Sequence, residues 1–206
     1  NYNTKESIEF TKEAEKEGVD GILLVVPSYN KPPQEGLYQH FKAIASSVKL
    51  PVILYNVPSR TSLNMSSETT IRLSDIDNIV GVKEASSDQD QIARIIDKSK
   101  SGFLVWSGND NETFQIVSMG GYGVISVASH LVGIQIKSMI NNIVAGKTDK
   151  AASEHLRLLP LFKVLFTVSS PIPLKYCLNR AGFNVGPTRL PLIALDNKSA
   201  LLVNSV

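Results

Sequence analysis

The segment Gly81-Val82-Lys83-Glu84 sets a lysine beside a glutamate at the end of a short apolar run. Read as a β-strand, alternation puts Gly81 and Lys83 on one face and Val80, Val82 and Glu84 on the other. An amine held at the mouth of an apolar sheet is desolvated, which disfavours its ammonium form. The neutral amine attacks ketones to give an imine, and the protonated imine acidifies the adjacent carbon and opens enamine chemistry. Tyr55 ends the earlier run Val52-Ile53-Leu54-Tyr55, on the same face as Ile53. Its phenol could shuttle the protons that imine formation requires. The competing reading pairs Lys83 with Glu84 or Asp110 in a structural ion pair on a solvated strand end.

Other residues offer other chemistry. Arg60 follows Pro58-Ser59 in a loop, where its guanidinium fork suits a substrate carboxylate or a surface ion pair. Glu84 with Asp110 could hold a divalent metal for an enolate-stabilising enzyme, although two carboxylates lack a third ligand. Gly120-Gly121 could cradle a phosphate, or simply end a helix. His40, His130 and His155 have no ligand spacing and read as surface or packing residues. Cys177, with apolar helical neighbours, reads as a buried structural thiol.

The elements that must carry these groups alternate. Short apolar runs at Ile22–Val26, Val52–Val57, Ile79–Val82, Phe103–Trp106 and Gly123–Val127 have the continuous character of strands covered on both faces. Between them lie helical periods: Thr4–Glu17, ended by Gly18; a stripe of Leu37, Phe41, Ile44, Ala45 and Val48; a helix capped by Ser66 or Ser67; one capped by Asp88 with Ile92, Ile95 and Ile96 inward; and one through Phe114 and Val117. After Ser129 the strand signal ceases. Leu131–Ala145, Thr148–Phe166 (bent or broken near Pro160) and Pro173–Ala181 read as helices, and Leu201–Val206 as the start of another. The division expected is a β/α array over residues 1–130 and a helical domain over 131–206. Ligands of such arrays collect at the C-terminal ends of the strands, where Tyr29, Tyr55, Lys83, Ser107, Asn109, Asp110 and Ser126 fall. Five strands fit an open doubly wound sheet, which length alone favours; a closed barrel of this type needs eight.

Composition bounds the rest. The chain of 206 residues carries 21 basic and 19 acidic side chains, a formal charge of +2, so nothing electrostatic argues for nucleic acid or an anionic membrane. A single cysteine cannot form an internal disulfide and points to a reducing cytoplasmic setting. No apolar run approaches the roughly 20 residues that span a bilayer, and the first residues are polar, unlike a signal peptide.

Four segments in order resemble the dihydrodipicolinate synthase family: Pro27-Ser28-Tyr29-Asn30-Lys31-Pro32, Tyr55-Asn56-Val57-Pro58-Ser59-Arg60-Thr61, Gly81-Val82-Lys83-Glu84-Ala85 and Gly120-Gly121-Tyr122-Gly123-Val124-Ile125-Ser126-Val127. The likeness runs from the first helix to Arg189-Leu190-Pro191. It implies an α/β fold, a (β/α)8 TIM barrel with a C-terminal helical domain, here lacking roughly the first three β/α units, about 75 to 90 residues. It implies a lyase condensing pyruvate with L-aspartate 4-semialdehyde, with no cofactor or metal, in a homotetramer built as a dimer of dimers.

Residue by residue, Lys83 resembles the family's Schiff-base lysine and Tyr55 its proton-relay tyrosine. Tyr29 resembles the second relay tyrosine, which reaches across the tight-dimer interface. Arg60 matches the arginine that binds the semialdehyde carboxylate. Gly108 and Ile125 match positions lining the pyruvate pocket, Ile125 through its carbonyl. Related pyruvate aldolases, such as N-acetylneuraminate lyase or 2-keto-3-deoxy sugar acid aldolases, generally lack the Ser59-Arg60-Thr61 continuation. The family's paired threonines belong to an upstream strand absent from this sequence, so an inactive partial barrel is a third reading. Ser28 stands where many members have a tyrosine serving the lysine feedback site and the dimer contact, and Glu6 resembles an acidic residue of that site; the lost aromatic argues against lysine inhibition.

Overall fold

A computed structural model describes residues 1–206, which divide into two compact units. The first comprises Asn1–Asn109 with Met119–Ile125. It holds five parallel strands, β1 (Ile22–Val25), β2 (Val52–Asn56), β3 (Ile79–Glu84), β4 (Leu104–Ser107) and β5 (Gly123–Val124), hydrogen-bonded in the order β1-β2-β3-β4-β5. A doubly wound sheet reverses strand order at a switch point. The unbroken order found here is that of neighbouring units in a (β/α) barrel, and it removes the open-sheet alternative.

Around the sheet run α1 (Thr4–Lys16), α2 (Gln34–Ala45), the single turn α3 (Pro58–Thr61), α4 (Ser67–Ser74) and α5 (Gln89–Lys98). Local chemistry sets their starts. Asn3 caps α1, Ser66 caps α4 by accepting the Thr69 N–H at 3.3 Å, and Asp88 caps α5 by accepting the Gln91 N–H at 2.9 Å; such caps contribute about 1 kcal/mol each. Of the apolar stripe expected on α2, Leu37, Phe41, Ile44 and Ala45 are fully inaccessible, as are Leu73 of α4 and Ile92 and Ile95 of α5, while Val48 lies beyond the end of the helix and is half-buried. They lie with Val52, Leu54 and Val82 of the strands in one core. The opposite strand face is open. Leu23 is 46% and Val25 37% exposed, so β1, which pairs with β2 alone, is not covered on both faces as its apolar run led one to expect.

One rung crosses the entire sheet, Val25–Tyr55–Lys83–Trp106–Gly123, and fixes which side chains share the open face. Gly81 is required one step below it. A Cβ there would collide with the Leu104 carbonyl and lie 2.5 Å from the Trp106 ring.

β5 is shorter than the expected Gly123–Val127. It pairs with β4 alone, and past Val124 a single bond continues the ladder, from the Ile125 N–H to the Ser107 carbonyl at 3.0 Å. Gly120-Gly121 follow a short helix, Thr113–Ser118. Gly120, at φ +108, turns the chain from the preceding helix so that the Tyr122 N–H meets the Val105 carbonyl at 2.8 Å.

The second unit comprises Asp110–Ser118 and Ser126–Val206. A 3₁₀ turn (Asp110–Glu112) leads into α6 (Thr113–Ser118), and α7 (Ser129–Val144), α8 (Thr148–Val164), α9 (Ile172–Arg180) and α10 (Asn197–Asn204) follow. Ile116, Met139, Leu158, Phe162 and Leu165 form its core. Helix α8 runs unbroken through Pro160, so of the bend or break expected there the break does not occur, while α7 kinks at Val132. The last helix starts earlier than Leu201 because Asp196 caps it, accepting the Ser199 N–H at 2.9 Å. His155 is a packing residue, stacked on Phe114 at 5.5 Å and near Phe162 at 6.3 Å, and burial pushes its imidazole down. Cys177 is half-buried rather than buried, on the partly open flank of α9, with burial raising its thiol. No helix is long and apolar enough to cross a membrane.

Candidate active site

β2 and β3 bring the two leading candidates together. Tyr55 and Lys83 are register partners, and both project from the open face because each is an odd step from the buried Leu54 and Val82. The Lys83 Nζ lies 4.2 Å above the centroid of the Tyr55 ring. A cation so placed gains about 0.5–2 kcal/mol from the ring face, so the phenol ring holds the amine in a defined place. Burial pushes the Tyr55 hydroxyl up, and the Arg60 charge pulls it partly back. The phenol therefore keeps its proton at neutral pH and can both accept and donate.

Arg60 stands exposed on α3, the turn that starts at Pro58 directly after β2. Pro at the first helical position and a left-handed Ser62 at the end make this turn short and abrupt. Its charge is thus delivered to the rim on the Tyr55 side, as its pull on the phenol records. Gly108, after β4, donates its N–H to the Glu84 carbonyl at 2.7 Å, and a Cβ there would come within 2.7 Å of the Ala85 Cβ. The close approach of two strand ends needs a residue without a side chain at this position. Ile125 continues from β5 on the neighbouring strand end.

Tyr29 is not gathered into this cluster. It is 85% exposed, with φ +76, and its ring lies 6.1 Å from that of Tyr2. A non-glycine residue with positive φ is uncommon and often marks a functional position.

Glu84 and Asp110, the two carboxylates weighed for a metal, are each bonded to N–H groups of the chain. Both Glu84 oxygens accept N–H groups, from Asn56, Ser86 and Gln91, at 2.8–3.3 Å. Asp110 accepts the Val127 and Ala128 N–H groups at 3.2 and 3.0 Å through Oδ2, and its Oδ1 is buried without a partner. No three His, Cys, Asp or Glu side chains stand close enough to hold a metal ion. His40 is buried, its Nδ1 2.8 Å from the Thr4 hydroxyl, in a packing role. What the residue pattern missed is the polar network behind the lysine. Its signals were Asn56 and Glu84, polar residues in step with the buried sides of β2 and β3.

A family model described as the dihydrodipicolinate synthetase family matches residues 1–206. A curated 4-hydroxy-tetrahydrodipicolinate synthase of Dehalococcoides mccartyi is 61% identical over 201 residues, 98% of this chain and 68% of that protein. The enzyme of the same name from Bacillus subtilis is 51% identical over 204 residues, 98% of this chain and 70% of that protein. Among solved structures, the Cyanidioschyzon merolae protein with lysine bound superposes with a TM-score of 0.97 at 45% identity, covering 99% of this chain and 70% of that one. A dihydrodipicolinate synthase from Thermotoga maritima gives 0.96 at 42% identity with the same coverages.

Proposed function

The chain belongs to the dihydrodipicolinate synthase family, and on that premise we propose that it condenses pyruvate with L-aspartate 4-semialdehyde to 4-hydroxy-tetrahydrodipicolinate, a step of lysine and diaminopimelate biosynthesis. The observation that carries this reading is the Lys83 amine held over the Tyr55 ring on the open sheet face, with an arginine at the rim. Its fold is that of a (β/α) barrel enzyme, of which this chain supplies five successive strands.

The Lys83 amine attacks C2 of pyruvate; the carbinolamine so formed loses water to give the imine. Tyr55 accepts and returns protons in these steps, since its neutral phenol can do both. Loss of a proton from the former methyl group gives the enamine. Its carbon attacks the aldehyde of the semialdehyde, forming the carbon–carbon bond, while Arg60 holds that substrate's carboxylate through its fork. The substrate's own amine then attacks the imine carbon and expels the Lys83 amine as the ring closes. Gly108 and the Ile125 carbonyl line the pyruvate pocket in this reading. Tyr29, exposed in the single chain, serves the relay of a neighbouring subunit across a dimer interface, within a homotetramer in the cytoplasm.

The test is covalent. Treating the chain with pyruvate and borohydride is expected to fix a reduced three-carbon adduct on Lys83, unaffected by chelator and absent in Lys83→Ala. A chain that remains unlabelled, or an adduct on another lysine, overturns the reading.

A further inference from the structure

Behind Lys83, on the helix-covered side of the sheet, lies a buried polar knot. Tyr55 and Lys83 pair across β2 and β3, and the next rung, Asn56 with Glu84, turns its side chains the other way. Both residues of that rung are 0% exposed. The backbone of Met65 locks the Asn56 amide, whose Oδ1 accepts the Met65 N–H at 3.0 Å and whose Nδ2 donates to the Met65 carbonyl at 3.3 Å. Gln91 is locked in the same manner: its Oε1 accepts from Asn64 at 2.9 Å, and its Nε2 donates to the Met65 carbonyl at 3.3 Å. Both amides therefore show N–H groups to Glu84.

Glu84 Oε1 accepts from Asn56 Nδ2 at 3.1 Å and from the Ser86 N–H at 2.8 Å, and Oε2 accepts from Asn56 Nδ2 at 3.2 Å and Gln91 Nε2 at 3.3 Å. None of these donors can be turned into an acceptor without losing a bond to Met65 or the Ser86 backbone. The set fits a carboxylate anion, even though burial pushes the carboxyl up. The knot also collects the parts of the site. Glu84 follows Lys83, Asn56 follows Tyr55, Asn64 and Met65 come shortly after the turn α3 that carries Arg60, and the Glu84 carbonyl takes the Gly108 N–H at 2.7 Å.

We infer that Glu84 is a positioning residue for pyruvate capture, its carboxylate fixing the ends of β2 and β3 so that the Lys83 amine and the Tyr55 ring are presented together. The inference rests on the imine reading above and extends it to a residue that touches no substrate. Glu84→Gln is the discriminating change because it preserves shape. Whichever way the new amide is turned, its NH2 meets a donor, Ser86 and Asn56 on one side or Asn56 and Gln91 on the other. Glu84→Asp keeps the anion.

The experiment measures the rate of borohydride-trapped adduct formation on Lys83 against pyruvate concentration, for the parent, E84Q, E84D and Gln91→Met, with a thermal melt of each. For E84Q a saturating rate lower by on the order of tenfold or more is expected, as for a reacting group displaced by a fraction of an ångström to an ångström. The half-saturating pyruvate concentration should stay near the parent's, and E84D should recover much of the loss. E84Q labelled at the parent's rate overturns the inference. So does a loss confined to the half-saturating concentration, which would assign Glu84 to ground-state binding. Should E84Q not fold, Q91M decides: a lowered saturating rate supports the inference and the parent's rate overturns it. A parent that is never labelled sinks the imine reading itself, and this inference with it.

Discussion

The amine of Lys83 rests 4.2 Å above the ring of Tyr55, its direct register partner across two parallel strands. The ring face and the hydroxyl of that tyrosine are separable by substitution. Tyr55→Phe keeps the platform and removes the proton carrier. Adduct formation from pyruvate is expected to slow by on the order of 10²-fold or more, with the melting temperature little changed. Trapping time courses at saturating pyruvate, beside a thermal melt, decide it; an undiminished rate would remove Tyr55 from the proton relay.

Arg60 is exposed, so its replacement should leave the fold intact. Arg60→Ala is expected to weaken consumption of aspartate semialdehyde far more than formation of the pyruvate adduct. Arg60→Lys should restore only part of the loss, because a lysine presents a point charge in place of a two-pronged fork. Separate measurement of trapping and of semialdehyde turnover checks this, and equal losses in the two would undo the assigned role.

Gly81→Ala should damage the sheet itself. The added methyl would strike the Leu104 carbonyl and the Trp106 ring, which a neighbouring strand holds in place. Destabilisation at or beyond the upper end of about 1–3 kcal/mol is expected, the usual range for overpacking. Denaturant unfolding beside Gly133→Ala, whose new methyl would sit in ordinary contact 3.7 Å from the Ser129 Cβ, provides the control.

His40 sets an acid limit. Burial lowers its imidazole from 6.5 to about 4, so the folded chain holds it neutral where the unfolded chain would protonate it. Below the unfolded value the unfolded state binds more protons, and stability must fall as pH drops from about 6.5 toward about 4. Above 6.5 this contribution is fully present. Thermal melts across that window should show the decline, and His40→Gln, which keeps a polar partner for Thr4, should flatten it.

How far the sequence reached depends on how local each property is. The period of apolar residues placed every strand and most helices, because the apolar face that an element buries leaves a mark that neighbours in sequence share. The same alternation put Lys83 and Tyr55 on one face and Glu84 on the other. It misjudged β5, whose length depends on a single neighbouring strand. It offered Glu84 only as half of a metal pair lacking a third ligand or as a possible partner of Lys83, because adjacency in the chain says nothing of what lies across the sheet.

By itself, then, the sequence determined the β/α alternation, the helical end of the chain, the facing of the lysine and the tyrosine, and the family. Only the tertiary structure decided that Asn56, Ser86 and Gln91 converge on one carboxylate while Asn64 and Met65 hold the two amides, and that Tyr29 stands exposed, away from the Lys83 and Tyr55 pair. Strand alternation is a property of successive residues, whereas the partners of a buried charge come from segments up to 28 residues away and meet only when the core forms.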